Sequence, residues 1–182
     1  AQHAIDFINE NGGIKSLGGA KLELVKGDTM SDSSQAKAVA ERVISENPDM
    51  VAAVGAGGSG YSVAMGTVFE KAEIPYVQNG VSASIPEQGY SFTFQPVPNT
   101  FGQTQIEFVQ YLNENYDYNI TKVGIIYEDT DYGISTAAGN KELAASAGLE
   151  VVFDASFPAN GSDVSSLITN LKASGAELVL PV

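Results

Sequence analysis

Cysteine is absent from the 182 residues, which excludes thiolate metal sites, cysteine nucleophiles and a disulfide framework, but says nothing about redox compartment. Histidine occurs once, as His3 at the extreme N-terminus. No Ser or Asp stands at catalytic spacing from it, so Ser-His-Asp chemistry is excluded. Basic residues are scarce: 9 Lys and Arg stand against 22 Asp and Glu, for a formal charge of −13. Nucleic acid and anionic membrane surfaces require a cationic face, and this chain does not supply one. Long apolar runs are missing too. The longest, such as Leu178–Val182, fall far short of a bilayer span, so no membrane insertion is expected. The first residues, AQHAIDFINE, carry neither an initiator Met nor a basic leader.

What remains is a foldable composition, 43% hydrophobic, with a regular alternation of patterns. Ala1, Ala4, Ile5 and Ile8 fall on one helical face, which Asn11-Gly12-Gly13 ends. Leu22, Leu24 and Val25 read as a short strand. Asp32 and Gln35 form a capping-box pattern before the stripe Ala36, Val39, Ala40, Val43 and Ile44. Met50–Gly55 is continuously apolar, as a strand covered on both faces would be. Tyr61, Met65, Val68, Phe69 and Ala72 then sit at helical spacing, and Ile74–Gly80 is the next strand. Ser91–Asn99 reads as a strand stopped by Pro96 and Pro98, a natural boundary because neither proline can donate to a central ladder. Beyond it come a helix through Phe101, Phe108, Val109 and Leu112, a strand at Lys122–Glu128 and a helix through Lys141. A strand at Leu149–Phe153, a helix through Val164, Leu167, Ile168 and Leu171, and a strand at Glu177–Val182 complete the series.

Alternation of this kind predicts an α/β fold of two Rossmann-like lobes, with parallel sheets flanked by helices. Residues 1–96 form lobe I, lacking a first strand; 99–182 form a partial lobe II; a hinge crossover lies near 95–99. The chain begins inside a helix and ends on a buried-type strand, so it reads as a fragment of a larger protein.

The glycines Gly55, Gly57 and Gly60 spell G-x-G-x-x-G between a strand and a helix. A dinucleotide site also needs an acid after the following strand, and Gln78-Asn79 stands there instead. No Lys follows Gly60, so a phosphate loop fails as well. What survives is Ser59 at a helix N-terminus, fit either for an anionic group such as a carboxylate or for an ordinary N-cap. Asp129 or Asp131 is expected to cap the next helix rather than hold a metal. Tyr132 sits at a strand's carboxyl end, where α/β sheets bind ligands, and Gly80-Val81-Ser82 closes another strand end with a carbonyl and a hydroxyl. These neutral hydrogen-bonding groups with one aromatic suit binding a small polar molecule better than chemistry on it, so no enzyme and no cofactor are expected.

Taken in order, AIDFINENGGI, KLELVKGDTMSDSSQA, the strand–glycine–Ser turn, IPYVQNGVSASI, GYSFTFQPVPN and VGIIYEDTDYG carry a resemblance. They resemble type I periplasmic binding proteins, specifically the leucine/isoleucine/valine-binding receptors of ABC importers, over essentially the whole chain. The resemblance implies two lobes that close on an amino acid or a related small amide or carboxylate. It implies that Ser59 binds the ligand carboxylate, that Gly80 and Ser82 hold its ammonium and carboxylate, and that Tyr132 covers it. The implied partner is a membrane ABC permease, and the implied location is extracytoplasmic, in the periplasm or lipid-anchored at the cell surface. A ligand-sensing module on the same fold and a Rossmann-type enzyme are the competing readings.

Overall fold

The computed structural model describes residues 1–85, 89–95 and 98–182, the side chains of 98 and 99 excepted. Its strands form two separate three-stranded sheets, each wholly parallel. The first has the order β1 (Ala53–Gly55), β2 (Tyr76–Gln78), β3 (Ser91–Thr93). In the second, β4 (Lys122–Glu128) lies between β5 (Glu150–Phe157) and β6 (Leu178–Pro181). Parallel neighbours need a crossover: α3 (Ser59–Lys71) supplies it from β1 to β2, α1 (Gln2–Glu10) and α2 (Ser33–Glu46) precede β1, and no described residue between β2 and β3 is helical. α4 (Pro98–Tyr116) leads from the first sheet into the second, where α5 (Asp131–Ser146) joins β4 to β5 and α6 (Ser165–Ala173) joins β5 to β6.

Local sequence explains the helix ends. Asp32 caps α2 by accepting the Ser34 N–H at 2.8 Å. Gln35 donates its amide to the Asp32 carboxylate at 3.1 Å instead of reaching back to the backbone as a capping box would. These bonds hold the Asp32 carboxyl below its ordinary pKa, the Ser34 side chain contributing most. α4 opens on a proline, whose missing N–H costs nothing at a first helical position. The boundary assigned to Pro96–Pro98, and with it the hinge near 95–99, lies partly outside the described residues. Gly13 takes φ +73°, and a Cβ there would stand 2.5 Å from the Ala20 carbonyl oxygen, so the chain can fold back into the Ile14–Ala20 bridge only with glycine at 13.

Several strand expectations change: Ile74–Gly80 narrows to Tyr76–Gln78, and Ser91–Asn99 stops at Thr93, with Pro98 and Asn99 opening α4 instead. Leu22–Val25 forms no ladder. The Asn9 side chain takes the place of a partner strand, donating to the Leu22 carbonyl and accepting the Leu22 N–H, each at 2.8 Å. The strand expected at Met50–Gly55 shrinks to its last three residues, and it is covered on one face only. Val54, Val77 and Phe92 stand in register across the first sheet and are 70%, 37% and 52% exposed. The opposite face carries the core of Ala40, Val68, Phe69 and Tyr76 under α2 and α3.

The second sheet is covered on both faces. Val123 and Ile125 pack with Ile106 and Val109 of α4 and with Ala137 and Ala144 of α5. Gly124, on the other face, lies under Leu171 of α6. Buried Asn140 on α5 donates to the Gln105 side chain at 2.7 Å, and Gln105 donates to the Pro181 carbonyl at 3.1 Å, tying both helices to the end of β6.

Candidate functional site

Because every strand in a sheet runs the same way, the loops after β1 and β2 open on one edge, and those after β4 and β5 on the corresponding edge of the second sheet. Between them lies a cavity of about 750 Å³. Its first wall is Gly57–Tyr61, Asn79 and Val81; its second is Glu128–Tyr132 with Ile134 and Ala159.

The loop after β1 is anchored by Tyr76, which is buried against Phe69 and donates its hydroxyl to the Gly55 carbonyl at 3.1 Å. Burial pushes its pKa up to about 12. Gly58, not Ser59, occupies the N-cap of α3. Ser59 is the first helical residue, 4% exposed, and its Oγ accepts the N–H groups of Val81 and Ser82, both at 3.1 Å. A serine hydroxyl has two acceptor lone pairs and one donor. With both lone pairs engaged, the proton of Ser59 remains to be donated to an acceptor. The unpaired N–H groups of the first turn of α3 and its positive dipole end add to the preference for an anion there.

The second wall has the opposite character. Glu128, Asp129 and Asp131 line it, and no Lys, Arg or His is among the described lining residues. Thr130, not either aspartate, caps α5 by accepting the Gly133 N–H at 3.1 Å. Asp129 and Asp131 are thereby left at the cavity. Gly133 packs its Cα so closely on the Glu128 carbonyl that a Cβ would collide with it, which explains the glycine following Tyr132. Tyr132 is held at the cavity, half-buried. Asp131 Oδ2 comes within 3.1 Å of the position a Gly60 side chain would occupy, so the last glycine of the G-x-G-x-x-G pattern serves the approach of the two walls.

Of the four residues singled out in the sequence, Ser59 and Tyr132 line the cavity from opposite walls. Gly80 and Ser82 stand just behind it. The Gly80 N–H donates to the Gln78 side chain at 2.7 Å, and its carbonyl accepts the Thr93 hydroxyl at 2.9 Å. Ser82 is buried, with its Oγ 2.7 Å from Ser84 Oγ. Their neighbours Asn79 and Val81 are the lining residues, and Asn79 accepts a hydrogen bond from Gln95. Tyr61, read from spacing as part of a packing stripe, turns to the cavity instead and donates to the Ser31 carbonyl at 2.9 Å. Its position in the first turn of α3, two residues after Ser59, is the available signal.

A model of the family described as periplasmic binding protein matches residues 1–182. The chain belongs to the periplasmic binding protein family. Leu/Ile/Val-binding protein homolog 7 of Brucella abortus (strain 2308) is 35% identical over 183 residues, covering 97% of this chain and 45% of the homolog. The branched-chain amino acid transporter substrate binding protein LivJ from Streptococcus pneumoniae, solved with isoleucine, is 25% identical. It has a TM-score of 0.82 and covers 100% of this chain and 49% of that one. A solute binding protein from R. palustris, solved with 4-hydroxybenzoate, shares the fold at 22% identity and TM-score 0.79, covering 97% of this chain and 46% of that one. The chain thus spans about half the length of these periplasmic binding protein relatives. The family is one of solute-binding proteins of transporters, not of enzymes.

Proposed function

We propose that the protein carrying this chain is an extracytoplasmic substrate-binding protein of an ABC importer. Residues 1–96 and 99–182 act as two lobes that capture an amino acid or a related small amide or carboxylate by hinge closure near 95–99. In this reading Ser59, Gly80, Ser82 and Tyr132 form the ligand-binding set. Ser59 donates to the ligand carboxylate at the α3 N-terminus, Gly80 and Ser82 carry the loop beside it, and Tyr132 covers the ligand from the other lobe. The ligand leaves chemically unchanged, and a membrane permease receives it. The protein works in the periplasm or at the cell surface; no helix among the described residues is long and apolar enough to cross a membrane.

The observation that carries this reading is the polarity across the cavity. A hydroxyl with both lone pairs engaged faces three carboxylates, a pairing suited to a molecule with an anionic and a cationic end. The volume lies within the roughly 300–1,000 Å³ of small-ligand sites. A thermal-shift screen against amino acids, amides and small carboxylates tests it. Ligand at about 100 times its Kd should stabilise by about 2.7 kcal/mol. No shift with any of these ligands at millimolar concentration would overturn the reading.

A further inference from the structure

Behind the cavity the two halves of the chain meet at a second polar point. Ser135 lies on α5, one turn beyond Asp131. Its Oγ is 2.9 Å from Ser82 Oγ, and it accepts the Ala83 N–H at 3.2 Å. Among the described residues, the hydrogen bonds that join the two halves all run through this one hydroxyl. The group it meets is not an arbitrary surface atom. Ser82 is 5% exposed, its Oγ also accepts the Ser84 N–H at 3.1 Å, and its own N–H donates to Ser59 Oγ. A continuous path therefore runs from α5, which carries Asp131 and Tyr132 on one wall, through Ser135 and Ser82 to the Ser59 hydroxyl on the other.

We propose that Ser135 is a positioning residue for ligand capture, a latch that engages the Ser82 loop when the two walls come together. This inference rests on the closure reading above and assigns it a residue outside the cavity. When the walls separate, Ser82 Oγ, Ser135 Oγ and the Ala83 N–H exchange their mutual bonds for water. The latch therefore contributes only the small net energy of a protein hydrogen bond. A weak contact of this kind biases closure without locking it, as a receptor that must release its cargo requires. Its attachment to Ser82 means that closure also fixes the loop whose N–H groups orient Ser59.

The absence of native cysteine allows a direct test. Spin labels introduced by Ala38→Cys on α2 and Ala145→Cys on α5, both exposed, report the distance between the halves in ligand-free full-length protein. Ser135→Ala should move the closed-to-open ratio about three- to tenfold toward open, the range for one net hydrogen bond. Ser82→Ala should do the same, and the double substitution should add little. Ser135→Thr, which keeps the hydroxyl, should retain the parent ratio. An unchanged distribution in Ser135→Ala, or equal shifts in Ser135→Ala and Ser135→Thr, overturns the latch. Since this readout needs no ligand, it stands apart from the amino-acid screen: failure of the screen removes the importer reading while the latch is still measured.

Discussion

The two sheets share a pattern of parallel strands and crossover helices, yet they are built differently. Strands of the first are three residues each, its described buried core is four residues, and one face is open. Strands of the second run to seven, eight and four residues around a core of nine, with helices on both faces. The difference separates two tasks. The second half presents a wall of acids and Tyr132 from a sheet packed on both faces. In the first half the groups that matter sit in short, hydrogen-bonded loops whose placement depends on Tyr76, Ser59 and the Ser82 contact with α5.

This contrast can be broken most sharply in the cores. Ile125, fully buried between α4 and α5, should lose about 2–5 kcal/mol of stability on Ile125→Ala, read by chemical denaturation. In the 182-residue chain, Val54→Thr on the open face of the first sheet should stay within about 0.5 kcal/mol of the parent. A Val54→Thr loss approaching that of Ile125→Ala would show that the first sheet is covered on both faces in solution.

The smallest effect expected concerns the edge of the second sheet. Glu177 accepts the N–H groups of Thr121 and Lys122 at 2.7 and 3.0 Å, which hold its carboxyl below the ordinary 4.5. Its native pKa is thus lower than its unfolded one, so its contribution is present above 4.5 and fades as pH falls through the native value. Glu177→Gln should flatten the acid limb of the thermal midpoint by lowering the neutral value slightly while leaving the acid value near the parent. A steeper acid limb in Glu177→Gln would contradict the clamp.

How much was legible in the sequence follows the same division. Lys122–Glu128 is recovered residue for residue, because a buried strand between two helical layers must be apolar on both sides and its ends are marked by charge. Met50–Gly55 reads the same way, but apolar composition does not reveal whether a second layer is there to cover Val54. Leu22–Val25 misleads for a related reason: alternation signals an extended chain, whereas a ladder needs a neighbour, and here the neighbour is the Asn9 side chain. At the site, the residue types and their strand ends were readable, since glycines and a serine after an apolar strand mark a helix start. The division of labour among neighbours was not. That Thr130 caps while Asp131 faces the cavity, or that Asn79 and Val81 line it while Gly80 and Ser82 stand behind, turns on backbone direction over single residues.

The central claim is that the Ser59 hydroxyl is the donor for an anionic ligand group. Calorimetric titration of the full-length protein with the amino acid that stabilises it most, in the parent and in Ser59→Ala, tests it directly. A hydrogen bond to a charged group contributes about 1.5–3 kcal/mol, so Kd should rise about ten- to hundredfold in the variant. Unchanged affinity in a folded Ser59→Ala protein would contradict the account.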